Sequence, residues 1–185
     1  MKASNTAAFE KQLIAILKET LASGGPVHLN VISQSMSPLL ITGDTVIVEH
    51  GAKNNYQAGD IIVFENYQSL FTHRLLAKQK DHWLTKGDNA LKLDPPLKPD
   101  LVLGRVCAIQ KKGLSLERQS QVWQNNNRTI AKINLCQVQL LNFVDRITSQ
   151  IFGEKQIRGV SLLHKLLAFP FRLATKLLIL GSFKI

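Results

Sequence analysis

VHLNVISQSMSPLLITGDTVIV, residues 27–48, reads as strand, turn, strand. Val27, Leu29 and Val31 alternate with their neighbours at the period of two that puts one row of side chains on a buried face. Ser33, Ser35, Ser37 and Pro38 then break the alternation with residues that favour turns. After Gly43-Asp44 the β-branched run Thr45-Val46-Ile47-Val48 resumes it. The same pattern extends outward. Apolar or alternating runs at 27–33, 45–49, 61–64, 70–77, 82–86 and 101–109 are separated by Gly51-Ala52-Lys53-Asn54-Asn55, Ala58-Gly59-Asp60, Gly87-Asp88-Asn89 and Pro95-Pro96. No helical period lies between these runs, which excludes a parallel α/β sheet and predicts a mainly antiparallel β domain over residues 27–113.

Helical spacing flanks this domain. Phe9, Leu13, Ile16, Leu17 and Leu21 predict an amphipathic helix over residues 6–22, ended by Gly24-Gly25-Pro26, so residues 1–26 form a helix and turn. Its apolar stripe is expected to pack on the domain. The Gln- and Asn-rich run at 114–128 predicts a polar loop or linker. Residues 129–185 form a basic helical region, with Ile130, Ile133, Val138, Leu141, Val144, Ile147 and Ile151 predicting one helix over 129–152. A second apolar segment, 159–181, carries Lys165, Arg172 and Lys176 within a narrow arc of a helical wheel. Pro170 is expected to kink it or split it into two short helices.

The net charge of +10 is unevenly placed. Residues 1–100 carry ten Lys/Arg and ten Asp/Glu, whereas residues 101–185 carry thirteen and three. An anionic partner is therefore expected for the C-terminal part. From Lys155 onward there are six cations and no acid. Two readings of residues 155–185 stand: an interfacial helix on an anionic membrane surface, or a helix that caps the core or a partner chain with its lysines reaching to solvent. Nucleic acid is not the expected partner, because there is no helix-turn-helix or zinc-finger spacing and the tail's cations sit among Leu and Phe. Residues 1–21 are interrupted by Glu10, Lys11, Lys18 and Glu19, so neither a signal peptide nor an N-terminal membrane anchor is expected. The expected location is the cytoplasm, soluble or peripheral at the inner membrane face. Cys107 and Cys136 form no metal-ligand spacing and are expected to be separate buried thiols. No metal or cofactor is implied. The sequon Asn127-Arg128-Thr129 is read as an accident of a polar loop.

The chemistry-bearing residues lie in the β region. Ser35 follows a strand and enters a turn, where a hydroxyl and nearby backbone N–H groups can converge. A serine needs a base in hydrogen-bond reach, and His73, on the alternating run Leu70-Phe71-Thr72-His73-Arg74-Leu75, offers an imidazole. Asp88 and Asp94, around the turn Lys86-Gly87-Asp88-Asn89, are carboxylates that could fix its tautomer. A lone histidine on a strand is more often simply a packed or surface residue, so composition alone does not assign these roles.

Ser33-Gln34-Ser35-Met36-Ser37-Pro38, Gly43-Asp44, Gly59-Asp60-Ile61-Ile62-Val63-Phe64, His73-Arg74, Lys86-Gly87-Asp88-Asn89 and Gly104-Arg105-Val106 together resemble the type I signal peptidase family, over about residues 29–110. The Ser-His branch is the better match, since His73 stands where bacterial signal peptidases and the related LexA-type self-cleaving repressors have lysine. The resemblance implies a mainly β catalytic core, the signal peptidase/LexA-like complex β fold, with an N-terminal amphipathic helix and C-terminal helices. It implies Ser35 as nucleophile, His73 as general base and Asp94 as third member. Ser33, Gln34 and Met36 would serve the oxyanion and substrate site, and Asp88 would order the turn through local bonds. The implied function is a serine endopeptidase that cleaves a peptide or precursor protein through an acyl-enzyme. The alternative is a non-catalytic peptide-binding or membrane-associated module on the same fold. The family usually has glycine where Gln34 stands and often an acidic residue where Ser37 stands.

Overall fold

The computed structural model describes residues 2–111, 114–118, 120–152 and 158–182. Helix α1 (Lys2–Ala22) is followed by β1 (Val27–Asn30), β2 (Thr45–Glu49), β3 (Ile61–Asn66), β4 (Ser69–Lys78), β5 (Trp83–Lys86), β6 (Val102–Lys111) and β7 (Leu114–Glu117), then by α2 (Gln121–Phe152) and α3 (Arg158–Ser182). All the strands join one seven-stranded sheet of order β1-β2-β6-β3-β4-β5, with β7 pairing β6. Each pairing is antiparallel, as the alternating runs predict. The long strand β6 is shared between β2 through residues 105–110 and β3 through residues 102–105.

The centre of the sheet is buried on both faces, and β3 shows it. Ile61 and Val63 point into the larger core with Val46, Val48, Val106 and Ile109, while Ile62 and Phe64 enter a second core with Tyr56, Leu75, Trp83 and Leu97. Strand alternation alone sorts these four consecutive apolar residues. The larger core also takes Leu17 and Leu21 from α1, Trp123 and Ile130 from α2, and Ile179 from α3. The C-terminal helices therefore share the core of the sheet. They run antiparallel: Asn126 donates to the Leu178 carbonyl at 3.2 Å and to Ser182 Oγ at 2.8 Å, and His164 Nε2 lies 3.0 Å from Asp145 Oδ1.

Three expectations are corrected here. The run 114–128 is not a loop: Leu114–Glu117 extends the β6 edge as β7, and α2 already begins at Gln121. Asn lowers helix propensity, but Trp123 buried in the core holds the first turns in place. Of the two outcomes expected at Pro170, a kink or a split, the split does not occur: α3 runs unbroken through the proline, with Ala168 and Thr175 buried on either side of it. The two cysteines are free as expected, but neither is buried as expected: Cys107 is half-buried and Cys136 exposed. Among the described residues no helix is long and apolar enough to cross a membrane.

Candidate active site

Two adjacent strands divide the site's residues by alternation. Arg74 pairs with Lys86 and Leu75 with Thr85 across β4 and β5. His73 and Thr85 thus face one side of the sheet, and Arg74 and Lys86 the other. On the first side the Asp94 backbone N–H donates to the Thr85 carbonyl at 2.9 Å, which fixes the carboxylate beside the strand. Asp94 Oδ2 then accepts from Thr85 Oγ1 and lies against His73 Nδ1, both at 2.8 Å. A carboxylate at that distance places the imidazole proton on Nδ1, leaving Nε2 as an acceptor. His73 Nε2 is 3.0 Å from Ser35 Oγ. Phe64 and Phe71 present their rings to the imidazole at centroid distances of 6.1 and 5.8 Å, so His73 is buried while Ser35 stays half-exposed.

The Ser35 loop is clamped by the turn after β5. Asn89 N–H donates to the Ser35 carbonyl at 2.8 Å, and Asn89 Nδ2 donates to the Gln34 carbonyl at 3.3 Å. This approach requires Gly87, since a Cβ there would sit 2.7 Å from the Ser35 carbonyl oxygen and 3.2 Å from His73 Nε2. Ser33 Oγ lies 3.1 Å from Ser35 Oγ. With the Ser35 hydroxyl directed at His73, Ser33 is left to donate to the nucleophile oxygen. The Gln34 side chain is drawn aside by a 3.1 Å bond from Nε2 to Thr42 Oγ1. Met36 is only 2% exposed and packs in the larger core. It anchors the loop from beneath and its side chain does not line the cleft.

Asp88 differs from its expected local turn bonding. It lies on the second side, where Arg74 Nε and Nη2 donate to its two oxygens at 2.8 and 2.7 Å, with both side chains fully buried. Asn134 Nδ2 adds a third bond to Asp88 at 3.0 Å. Arg74 Nη1 donates to Asn127 Oδ1 at 2.6 Å and to the Gly59 carbonyl at 3.0 Å. Lys86 Nζ donates to Asn134 Oδ1 at 2.8 Å and to the Gly87 carbonyl at 3.2 Å, with Gln137 Oε1 at 3.5 Å. Burial pulls the Lys86 ammonium down to about 8; Asp88 opposes the shift, and Arg172 and Arg74 add to it. Arg172 of α3 donates to the Asn89 carbonyl at 2.7 Å, so α3 also touches the clamping turn.

The structure therefore brings Ser35, His73, Asp94 and Ser33 together and keeps Asp88 and Met36 out of their cleft. What sequence reasoning missed is the seam behind it: Arg74, Lys86, Asn127, Asn134, Gln137 and Arg172. Asn127, Asn134 and Gln137 sit at offsets of seven and three on α2, a spacing that shares one helix face. That repeat of polar residues among buried apolar ones was the available signal. Asn127, within the sequon, is buried against Arg74.

This geometry can activate a serine hydroxyl by proton transfer to an imidazole held by a carboxylate. No significant match was found among curated proteins. A family model described as Peptidase S24-like matches residues 2–107, more than half of the 185-residue chain and the whole stretch that carries Ser35, His73 and Asp94. The sheet with its N-terminal helix fits that match, and the chain belongs to the Peptidase S24-like family of serine peptidases.

Proposed function

We propose that the protein is a serine endopeptidase acting on an extended peptide segment of a precursor, with Ser35 as nucleophile, His73 as general base and Asp94 as the group that orients it. The observation that carries this reading is the unbroken relay of 3.0 Å from Ser35 Oγ to His73 Nε2 and 2.8 Å from His73 Nδ1 to Asp94. In the forward half-reaction Ser35 Oγ attacks the scissile carbonyl as its proton passes to His73 Nε2. The imidazolium returns that proton to the leaving amine, and an acyl ester remains on Ser35. Water then attacks the ester, gives a proton to His73, and the carboxylic product leaves with Ser35 restored. The Ser35 backbone N–H and the Ser33 hydroxyl are the donors assigned to the oxyanion. The histidine in place of lysine aligns the chemistry with the Ser-His branch of signal peptidase-like enzymes.

The topology supports an extended substrate. Among the described residues β5 pairs β4 only from Arg74 onward, so the stretch of β4 that leads to His73 has β3 on one side and no paired strand on the other. A peptide strand laid there would pass its carbonyl over Ser35. The test is mass spectrometry of candidate precursors incubated with the wild type and with Ser35→Ala. Defined fragments from the wild type alone are expected; undiminished cleavage by Ser35→Ala would overturn the mechanism. A serine-directed probe that labels Ser35 in the wild type and not in His73→Ala would separate a peptidase from a non-catalytic binding module.

A further inference from the structure

The exposed face of α3 has no role in the site. Leu162, Leu166, Phe169, Leu173, Leu177 and Leu180 are each between 47% and 66% exposed. Their spacing of four, three, four, four and three keeps them on one stripe along nearly the whole helix. The opposite face, with His164, Ala168, Thr175 and Ile179, is buried, so the stripe is not the surface that packs α3 on the protein. Scattered exposed leucines need no explanation; six on one continuous line do.

The surrounding charge selects the occupant. Lys165 and Lys176 are exposed and lie along one margin of the stripe, and no Asp or Glu occurs from Arg158 to Ser182. Helix α2 contributes only Asp145 as an acid over Gln121–Phe152, against Arg128, Lys132 and Arg146. At the level where Asp145 meets His164, α2 also exposes Phe143, Ile147 and Ile151 at spacing four. An apolar line bordered by cations and lacking acids matches the boundary between the acyl chains and anionic headgroups of a bilayer. A second copy of the same surface would set cations against cations. Spanning is not an option, since no described helix is long and apolar enough to cross.

We infer that α3 is a membrane-docking helix that lies in the surface of an anionic bilayer with Leu162, Leu166, Phe169, Leu173, Leu177 and Leu180 inserted and Lys165 and Lys176 at the phosphates. This goes beyond the peptidase reading and does not depend on it. Because Arg172 on the same helix bonds to the Asn89 carbonyl, the docked helix would hold the Ser35 loop within roughly a helix diameter, ~10 Å, of the headgroups.

The test is sedimentation of the full chain with vesicles of pure phosphatidylcholine and with vesicles in which about 30% of the lipid is phosphatidylglycerol, whose charge supplies a surface potential. The wild type is expected to sediment with the anionic vesicles, less so with the neutral ones, and to be released as salt is raised. Leu166→Ser/Phe169→Ser/Leu177→Ser is expected to lower binding by roughly tenfold or more, and Lys165→Glu/Lys176→Glu to abolish the preference for anionic lipid. All three positions of the first variant are exposed, and an unchanged melting temperature would show that it folds. No binding by the wild type, or equal binding by the folded triple variant, would overturn the inference. So would a wild-type dimer in sedimentation equilibrium that the triple variant converts to monomer without any change in vesicle binding, which would assign the stripe to self-association.

Discussion

Ser35 and His73 are brought together across a residue with no side chain. Gly87 lies between the Ser35 carbonyl and the imidazole, where an added Cβ would come within 2.7 Å of one and 3.2 Å of the other. The carbonyl belongs to the backbone that carries the nucleophile, so Gly87→Ala must displace the Ser35 loop, the β5 turn or His73. Its expected effect is a loss of turnover of roughly a hundredfold with a smaller change in stability, on the order of 1–3 kcal/mol. Peptide-cleavage rates together with thermal melts check it, and a variant with wild-type turnover would show that the clamp is not needed. At this scale the sequence was informative because the family's motifs bring their spacing with them: the resemblance pointed to His73 and to Asp94 rather than Asp88. What it could not supply was the direction of each side chain. Met36 turns into the core because the loop needs an apolar anchor below it, and Asp88 turns to the far side of the sheet because Arg74 waits there.

Helix α2 is the element whose importance was least legible. Its first turns contain Asn125-Asn126-Asn127, weak helix formers that resemble a linker when read in isolation. In the fold those polar groups answer buried charge: Asn127 meets Arg74, and Asn134 bridges Asp88 and Lys86. The strands gave no warning either, because Arg74 and Lys86 alternate as solvent-facing residues would, and only the docking of α2 makes that side of the sheet an interior. Lys86 bears the cost, with its ammonium pulled down to about 8 by burial. The unfolded chain keeps that proton until near the ordinary lysine value of 10.5. Between these limits the unfolded state binds more protons than the native state, so the wild type should gain stability as pH rises. Below about pH 8 the penalty is present in full. Against Lys86→Met, which lacks the titration, the wild type should improve by on the order of 3 kcal/mol between pH 7 and pH 10.5. Urea unfolding of both proteins at several pH values measures the gap, and a gap independent of pH would show that Lys86 titrates as an exposed lysine does.

Across the whole molecule, the balanced residues 1–100 and the cationic residues 101–185 belong to one folded unit, because β6 lies inside the sheet and the C-terminal helices share its core. The sheet was legible from alternation in β1 and β2, which commit one face to the core, and from continuous apolar runs at its centre, where β3 and β4 are buried on both faces. The union of sheet and helices was not, because local periodicity says that a helix has an apolar face but not which neighbour covers it. Trp123, Ile130 and Ile179 close the sheet's larger core, while the opposite stripe of α3 stays uncovered. Arg172 ties the two sides together through the Asn89 carbonyl. If α3 docks on anionic lipid and Ser35 cleaves peptides, substrate and enzyme confined to one surface meet at a raised effective concentration. A substrate peptide carrying an acyl anchor should then be cleaved on anionic vesicles roughly tenfold faster or more than the same peptide without the anchor. Leu166→Ser/Phe169→Ser/Leu177→Ser should lose that advantage while cleaving the free peptide at the wild-type rate, since none of these residues touches the site. Equal rates for anchored and free peptide, with the enzyme sedimenting on the vesicles, would mean that docking positions the protein without presenting the substrate.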